Sequence, residues 1–173
     1  MSGRLETRPK GDGMRKILEI LENDARATPK QIATMTGISV AEVKNIIKKA
    51  ERKRVIVKYK TMINWEKVGH DEKVWAMIEV KMQPQKDVGF DAVAERIYRF
   101  PQVRTLYLVS GTYDLAVFVV GKTMQEVASF VSQKLAPLDG VHGTVTHFLL
   151  KRYKEDGEIL DAGGEDRRLP LTI

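Results

Sequence analysis

Thr28-Pro29-Lys30-Gln31 and, eleven residues on, Ser39-Val40-Ala41-Glu42 both read as helix starts. In each, a hydroxyl side chain is placed to accept from the backbone N–H three positions on. Gln31 or Glu42 is placed to reach back to the cap residue's own N–H. Pro29 falls at the first helical position, where its missing donor is not needed. Thr36-Gly37-Ile38 lies between the two starts, so one short helix stops at a glycine and the next begins almost at once. This layout predicts a helix-turn-helix, whose second helix enters the DNA major groove.

Helical periodicity extends the unit in both directions. Ile17, Leu18, Ile20 and Leu21 predict a first helix over about 14–25. Ile32, Ala33 and Met35 face the same core from a second over about 29–36, and Val43, Ile46, Ile47 and Ala50 turn inward from a third over about 40–54. The run from Val55 to Ile63 is β-rich with partial alternation, and predicts a strand that backs onto the helices and leads out of the domain. Residues 64–71, with Gly69, read as a hinge.

Beyond Glu72 the period becomes twofold. Val74, Ala76, Ile78, Val80 and Met82 alternate with the residues between them as a strand that Pro84 ends. A helix over 88–99 stops at Phe100-Pro101. Strands over 103–109 and 113–120 flank the turn at Ser110-Gly111-Thr112. Thr123-Met124-Gln125-Glu126 is a third capping box, opening a helix with Met124, Val127, Ala128, Val131 and Leu135 inward, and a last strand covers 145–151. The order β-α-β-β-α-β predicts a ferredoxin-like domain with two helices on one face of a four-stranded antiparallel sheet. The fold class is therefore α+β. A winged-type helix-turn-helix domain over 14–63 precedes a ferredoxin-like domain over 72–154, with flexible tails over 1–13 and 155–173.

The sheet face opposite the helices is assigned Trp75, Met77, Leu106, Leu108, Leu115, Val117, Val119, His147 and Leu149. That apolar area exceeds what a monomer ordinarily exposes, so a second copy is expected to cover it as a twofold dimer. Two heads also suit two DNA half-sites.

Charge separates the same two parts. Of a net +6, residues 14–65 carry 12 Lys/Arg against 5 Asp/Glu, and residues beyond 65 carry 14 against 16. A basic block joined to a near-neutral one marks a polyanion-binding module, here double-stranded DNA. A solvated helical face is the competing reading. The absence of cysteine excludes disulfides, thiolate catalysis and zinc-thiolate sites. His70, His142 and His147 are too widely spaced to suggest a metal cluster, so no metal or other cofactor is expected. No run of about 18 apolar residues predicts a membrane span, and the N-terminus lacks a signal-peptide core, so a cytoplasmic location is expected.

On the third helix, Ser39 and Glu42 read as capping residues, with Ser39 also near a phosphate. Ala41, Lys44, Asn45 and Lys48 share an outward face, and Lys49 adds to its charge. Asn45 has the donor–acceptor pair that adenine requires. The lysines suit phosphate first and guanine second.

Several spacings then align with a known family. Gly37-Ile38-Ser39, Val43, Ile47, Glu51 and Val55-Ile56, the linker residues Tyr59, Asn64 and Gly69, and Val109-Ser110-Gly111-Thr112-Tyr113-Asp114 resemble the Lrp/AsnC (leucine-responsive/asparagine-type, feast/famine) transcription regulators. The resemblance runs from Met14 to about Tyr153. It departs at Ile46, Ala50 and Arg54, where the family usually has arginine, leucine and glycine. It implies a regulator rather than an enzyme, responding to a small-molecule effector, an amino acid, and built from dimers that can assemble to tetramers or octamers. It also implies that Ser110, Gly111, Thr112, Tyr113 and Asp114 line the effector site, with Asp114 meeting the ammonium. The residues alone leave a plain hairpin turn open. Two other functions fit the scaffold. One is a siroheme-type tetrapyrrole decarboxylase relying on His147 with Arg152 or Arg104. The other is an architectural DNA-binding protein without an effector.

Overall fold

Ile17, Ile32 and Val43 are fully buried where three short helices meet, with Leu21 beside them. The helices are α1 (Lys10–Asn23), α2 (Pro29–Thr36) and α3 (Val40–Arg52). They form the first of two units, divided after Ile63, in a computed structural model that describes residues 10–69, 73–83 and 90–160. α1 starts earlier than the expected residue 14, so the tail does not reach 13. Asp12 sits in its first turn and pairs with Lys16 at 2.8 Å. It also ends earlier, because Asp24 Oδ1 accepts from the Arg26 N–H at 2.9 Å and turns the chain out of the helix. Residues 1–9 lie outside the described residues.

The expected strand over 55–63 does not form. This unit contains three helices and one extended segment, so among the described residues that segment has no strand to pair with. It is anchored by Ile56, half-buried against the helical core, while Val55, Val57 and Tyr59 remain exposed. In the expected hinge, Trp65–Val68 form a 3-10 turn; residues 70 and 71 lie outside the described residues.

The second unit has β1 (Val74–Met82), α4 (Asp91–Tyr98), β2 (Val103–Leu108), β3 (Leu115–Gly121), α5 (Met124–Phe130), which widens into a π turn over Val131–Leu135, and β4 (Val141–Phe148). The sheet is antiparallel in the order β2-β3-β1-β4, as the ferredoxin-like topology requires. Val93 and Ile97 of α4, with Val127 and Phe130 of α5, pack on one face of it. The expected helix over 88–99 is observed from Asp91; residues 88 and 89 lie outside the described residues. β4 starts four residues before the expected 145. Val141, the residue after Gly140, already pairs with Met82, across a bulge between Lys81 and Met82.

The free face needs correcting. Val80 pairs with Leu115, Ile78 with Val117 and Ala76 with Val119, so these three β3 residues lie under the helices. Leu106 and Leu108, paired with Val117 and Leu115, share that side. The free face instead carries Trp75, Met77 and Glu79 from β1, Tyr107 from β2, Phe118 from β3, and Val145 and His147 from β4. β3 is apolar at nearly every position, so alternation within it does not choose a face; the register with β1 does.

The expected tail from 155 is also ordered at its start. β5 (Lys154–Glu155) and β6 (Glu158–Ile159) form a hairpin around Asp156-Gly157, with φ of 46° and 88°. Two consecutive positive φ values define the two-residue turn that Asp-Gly favours. Asn64 Nδ2 donates to the Leu160 carbonyl at 2.7 Å and ties the hairpin to the start of this unit. Residues 161–173 lie outside the described residues.

Candidate nucleic-acid interface and effector turn

Capping sets where α2 and α3 begin. The Thr28 hydroxyl accepts from the Gln31 N–H, and Gln31 Oε1 accepts from the Thr28 N–H at 2.8 Å, closing the first box. α2 ends at Gly37, φ 72°, whose N–H donates to the Ala33 carbonyl. At α3 the Ser39 hydroxyl accepts from the Glu42 N–H at 3.2 Å. The reciprocal bond from Glu42 is not made among the described residues, so this second box is half formed.

Val43 and Ala50 are buried on the inner face of α3, with Ile46 and Ile47 half-buried beside them. Ser39, Ala41, Lys44, Asn45, Lys48 and Lys49 are all exposed. At 100° per residue, Ala41, Lys44, Asn45 and Lys48 share one outward face; Lys49 flanks it. Arg52 falls on the same face and is exposed. The sequence puts it off the core face of the helix but not among the expected DNA contacts, although its spacing of four from Lys48 is the available signal. The face runs about 16 Å along the helix from Ala41 to Arg52, enough to follow a stretch of major groove.

The C-terminal end of α3 has an unusual feature. The Arg54 N–H donates to the Glu51 carbonyl at 3.0 Å and the Val55 N–H to the Ala50 carbonyl at 2.9 Å. Those two bonds are the Schellman pattern, which places residue 54 in the left-handed region where glycine is usual. Arg54 occupies it at φ 54°. A non-glycine residue there costs about 1–2 kcal/mol. The charge at a helix C-terminus returns about 0.3–1 kcal/mol at most, and Lys49 and Arg52 already occupy the last turn. Beyond the cap, the Tyr59 hydroxyl donates to Glu51 Oε1 at 3.0 Å and fastens the extended segment to α3. Desolvation, then the bond to Glu51 and its negative charge, raise the Tyr59 pKa.

The turn from Ser110 to Asp114 joins β2 to β3. Ser110, Gly111 and Thr112 are exposed, and Tyr113 and Asp114 half-buried. Gly111 has φ 154°, and a Cβ built there would meet nothing within 4 Å, so space would admit a side chain that the backbone conformation resists. Asp114 is not a loose turn residue. Its Oδ2 accepts from the Met82 N–H at 2.7 Å, its N–H donates to the Val80 carbonyl at 3.0 Å, and its carbonyl accepts from the Val109 N–H at 2.9 Å. The carboxylate thus caps the bulged end of β1, a role that sequence reading left out.

On the free sheet face, His147 Nε2 and Glu79 Oε1 lie 3.1 Å apart. The Arg152 guanidinium sits 5.6 Å over the Trp75 ring and pairs with Glu155 at 3.2 Å. A cleft of about 290 Å³ runs between Trp75, Arg152, Glu155, Tyr107, Phe118 and Leu149. Among the described residues no group of three or more His, Asp or Glu is placed to hold a metal ion, and no helix is long and apolar enough to cross a membrane.

Residues 14–57 match the model of winged helix-turn-helix DNA-binding domains, and residues 75–159 that of the Lrp/AsnC ligand-binding domain. The chain is 53% identical over 157 residues to an uncharacterized HTH-type transcriptional regulator of Bacillus subtilis, YugG, covering 91% of this chain and 95% of that one. It is similar in structure to the feast or famine regulatory protein Rv3291c from M. tuberculosis complexed with L-methionine. That match has a TM-score of 0.67 at 24% identity, over 86% of this chain and 97% of the other. A Neisseria meningitidis transcriptional regulator, NMB0573, in an L-Met complex gives 0.66 at 23%, over 86% and 94%.

Asp114→Ala should destabilise the sheet unit by about 1–3 kcal/mol, because the Met82 N–H loses its acceptor in a half-buried place. Asp114→Asn, which keeps an acceptor oxygen, should recover most of the loss in chemical denaturation. Equal stability of wild type and the alanine variant would show that the bond carries no load.

Proposed function

The chain belongs to the Lrp/AsnC family and is a DNA-binding transcription regulator of that type; we propose that α3 reads the operator and that an amino acid bound at the Ser110–Asp114 turn tunes its output. The observation that carries the first part is the outer face of α3. Lys44, Asn45, Lys48 and Lys49 are exposed on a capped helix, and their side chains make no hydrogen bond or ion pair among the described residues. Ser39, at the N-cap, and Ala41, small enough for close approach, complete the contact surface. Phosphate takes most of the lysine contacts, and Asn45 is the residue suited to a base edge.

The second part rests on the relatives solved with L-methionine and on the open space around Gly111. Backbone groups near Ser110, Gly111 and Thr112 meet one end of a zwitterion, Tyr113 lines the site, and the free oxygen of Asp114 meets the ammonium. A homodimer joined through the free sheet face, able to assemble further, brings two heads to the DNA. Trp75, Met77, Tyr107, Phe118, Val145 and Leu149 supply its apolar contacts. The decarboxylase reading is not favoured: the relatives are named as transcriptional regulators, His147 is engaged with Glu79, and Arg152 with Glu155.

Lys44→Ala/Lys48→Ala should bind DNA far more weakly, with the salt dependence of log K falling by about one unit per lost phosphate contact and the dimer intact. Unchanged affinity and slope would remove α3 as the reading element. Tyr107→Glu should shift sedimentation at micromolar concentration toward monomer while circular dichroism stays native. A dimer of undiminished strength would rule out the sheet-to-sheet interface. L-methionine and then the other common amino acids, titrated to millimolar concentration, should raise the unfolding temperature of wild type but not of Gly111→Val. No shift with any of them would leave the turn a hairpin and the protein an effector-independent DNA binder.

A further inference from the structure

Arg54 is a charged residue kept where the backbone favours glycine. It closes the Schellman cap of α3 at φ 54°, is exposed, and makes no side-chain hydrogen bond or ion pair among the described residues. Among the described residues no side-chain hydrogen bond or ion pair therefore offsets the conformational cost, and the helix dipole offsets only part of it. Residues held in sparsely populated regions concentrate where function requires the side chain. The surroundings indicate which function. Arg52, Lys53, Lys58 and Lys60 are exposed close by in the chain, and no acidic residue occurs between Arg52 and Lys60. Glu51, the nearest carboxylate in sequence, is engaged by the Tyr59 hydroxyl.

We propose that Arg54 is a DNA-contacting residue. It anchors the C-terminal end of α3 to a backbone phosphate, and its left-handed backbone is the stability given up for that contact. The chemistry favours phosphate over a base edge. A guanidinium presents a planar fork to two phosphate oxygens, and a residue beyond the last helical turn lies off the outer face carrying Lys44 and Asn45. The role is positional: the contact fixes the angle and depth of α3 in the groove without reading sequence. The proposal rests on α3 being the reading helix and adds a second anchor at the end opposite Ser39.

The test compares Arg54→Gly, Arg54→Gln and Arg54→Lys in the full-length protein, with thermal unfolding and DNA binding followed across salt concentrations. Glycine relieves the backbone and removes the charge. It should raise the unfolding midpoint of the DNA-binding unit by about 2–6 °C. It should also lower the salt slope by roughly 0.9 for each bound head, an affinity loss on the order of eightfold per head at 0.1 M salt and equal for specific and random DNA. Glutamine should lose the slope without the thermal gain, and lysine should keep most of the slope. Lys134→Gln, in the sheet unit, should change neither. If glycine stabilises while slope and affinity stay at wild-type values, Arg54 touches no DNA and the proposal fails. If Lys44→Ala/Lys48→Ala also leaves binding unchanged, the failure lies with the reading of α3 itself.

Discussion

The pairing of β1 with β3 on one side and β4 on the other is the constraint on which the C-terminal unit depends. Ala76, Ile78 and Val80 are fully buried, and their partners Val119, Val117 and Leu115 share the helix-covered face. A slip of one residue would turn this set to solvent and bring Met77, Glu79 and Lys81 under the helices. The same register fixes the composition of the other face, which is more polar than alternation alone suggests. The His147–Glu79 pair lies within it, and Arg152 covers Trp75 at one end. A second copy docking there has to leave these polar groups partnered, because a buried polar group stripped of its partner is destabilising.

The N-terminal unit follows a different logic. Its core is small, a cluster of Ile17, Leu21, Ile32 and Val43 with a partly buried shell and Ala50 buried on α3, so local signals weigh more. Thr28 and Ser39 each satisfy a backbone donor that a short helix leaves unpaired, and Gly37 and Arg54 close the helix ends by left-handed turns. Both ends of α3 are thus set by local hydrogen bonds. Packing uses only its inner face, which leaves the outer face free of structural duty. Such a helix can carry a dense run of lysines without disturbing its fold.

The legible parts of the sequence were those written in local patterns. The two helix starts, Gly37 as a stop, the core positions of α3 and the alternation of β1 all lie within a turn or two of chain. What was missed depends on partners distant in sequence. Residues 55–63 have strand composition, but a strand exists only when another pairs with it. β3 offered no alternation to choose a face, so Leu115, Val117 and Val119 were placed on the wrong one. The hairpin at Asp156-Gly157 is an exception, since Asp-Gly is a local signal. The charged, glycine-rich run around it masked that signal, and Asn64, which holds the hairpin through Leu160, lies 96 residues before that partner.

The turn from Ser110 to Asp114 shows the same limit at a single residue. Gly111 followed three positions later by Asp114 is compatible with a hairpin or with a zwitterion site, and the spacing does not distinguish them. The fold adds that one Asp114 oxygen already accepts from Met82, at the bulge where β1 leaves its regular pairing with β4. Any ligand that takes this carboxylate as its ammonium partner shares it with that backbone N–H. Charge drawn toward the ligand weakens the bond to Met82, and a ligand that orders the carboxylate strengthens it. In either case the contact acts on the end of β1, the strand whose register sets both faces of the sheet. A residue that the sequence leaves as either structural or ligand-binding is structural in this fold, and a ligand contact would add to that bond rather than replace it. Its structural bond is the route by which occupancy of the turn would reach the rest of the sheet.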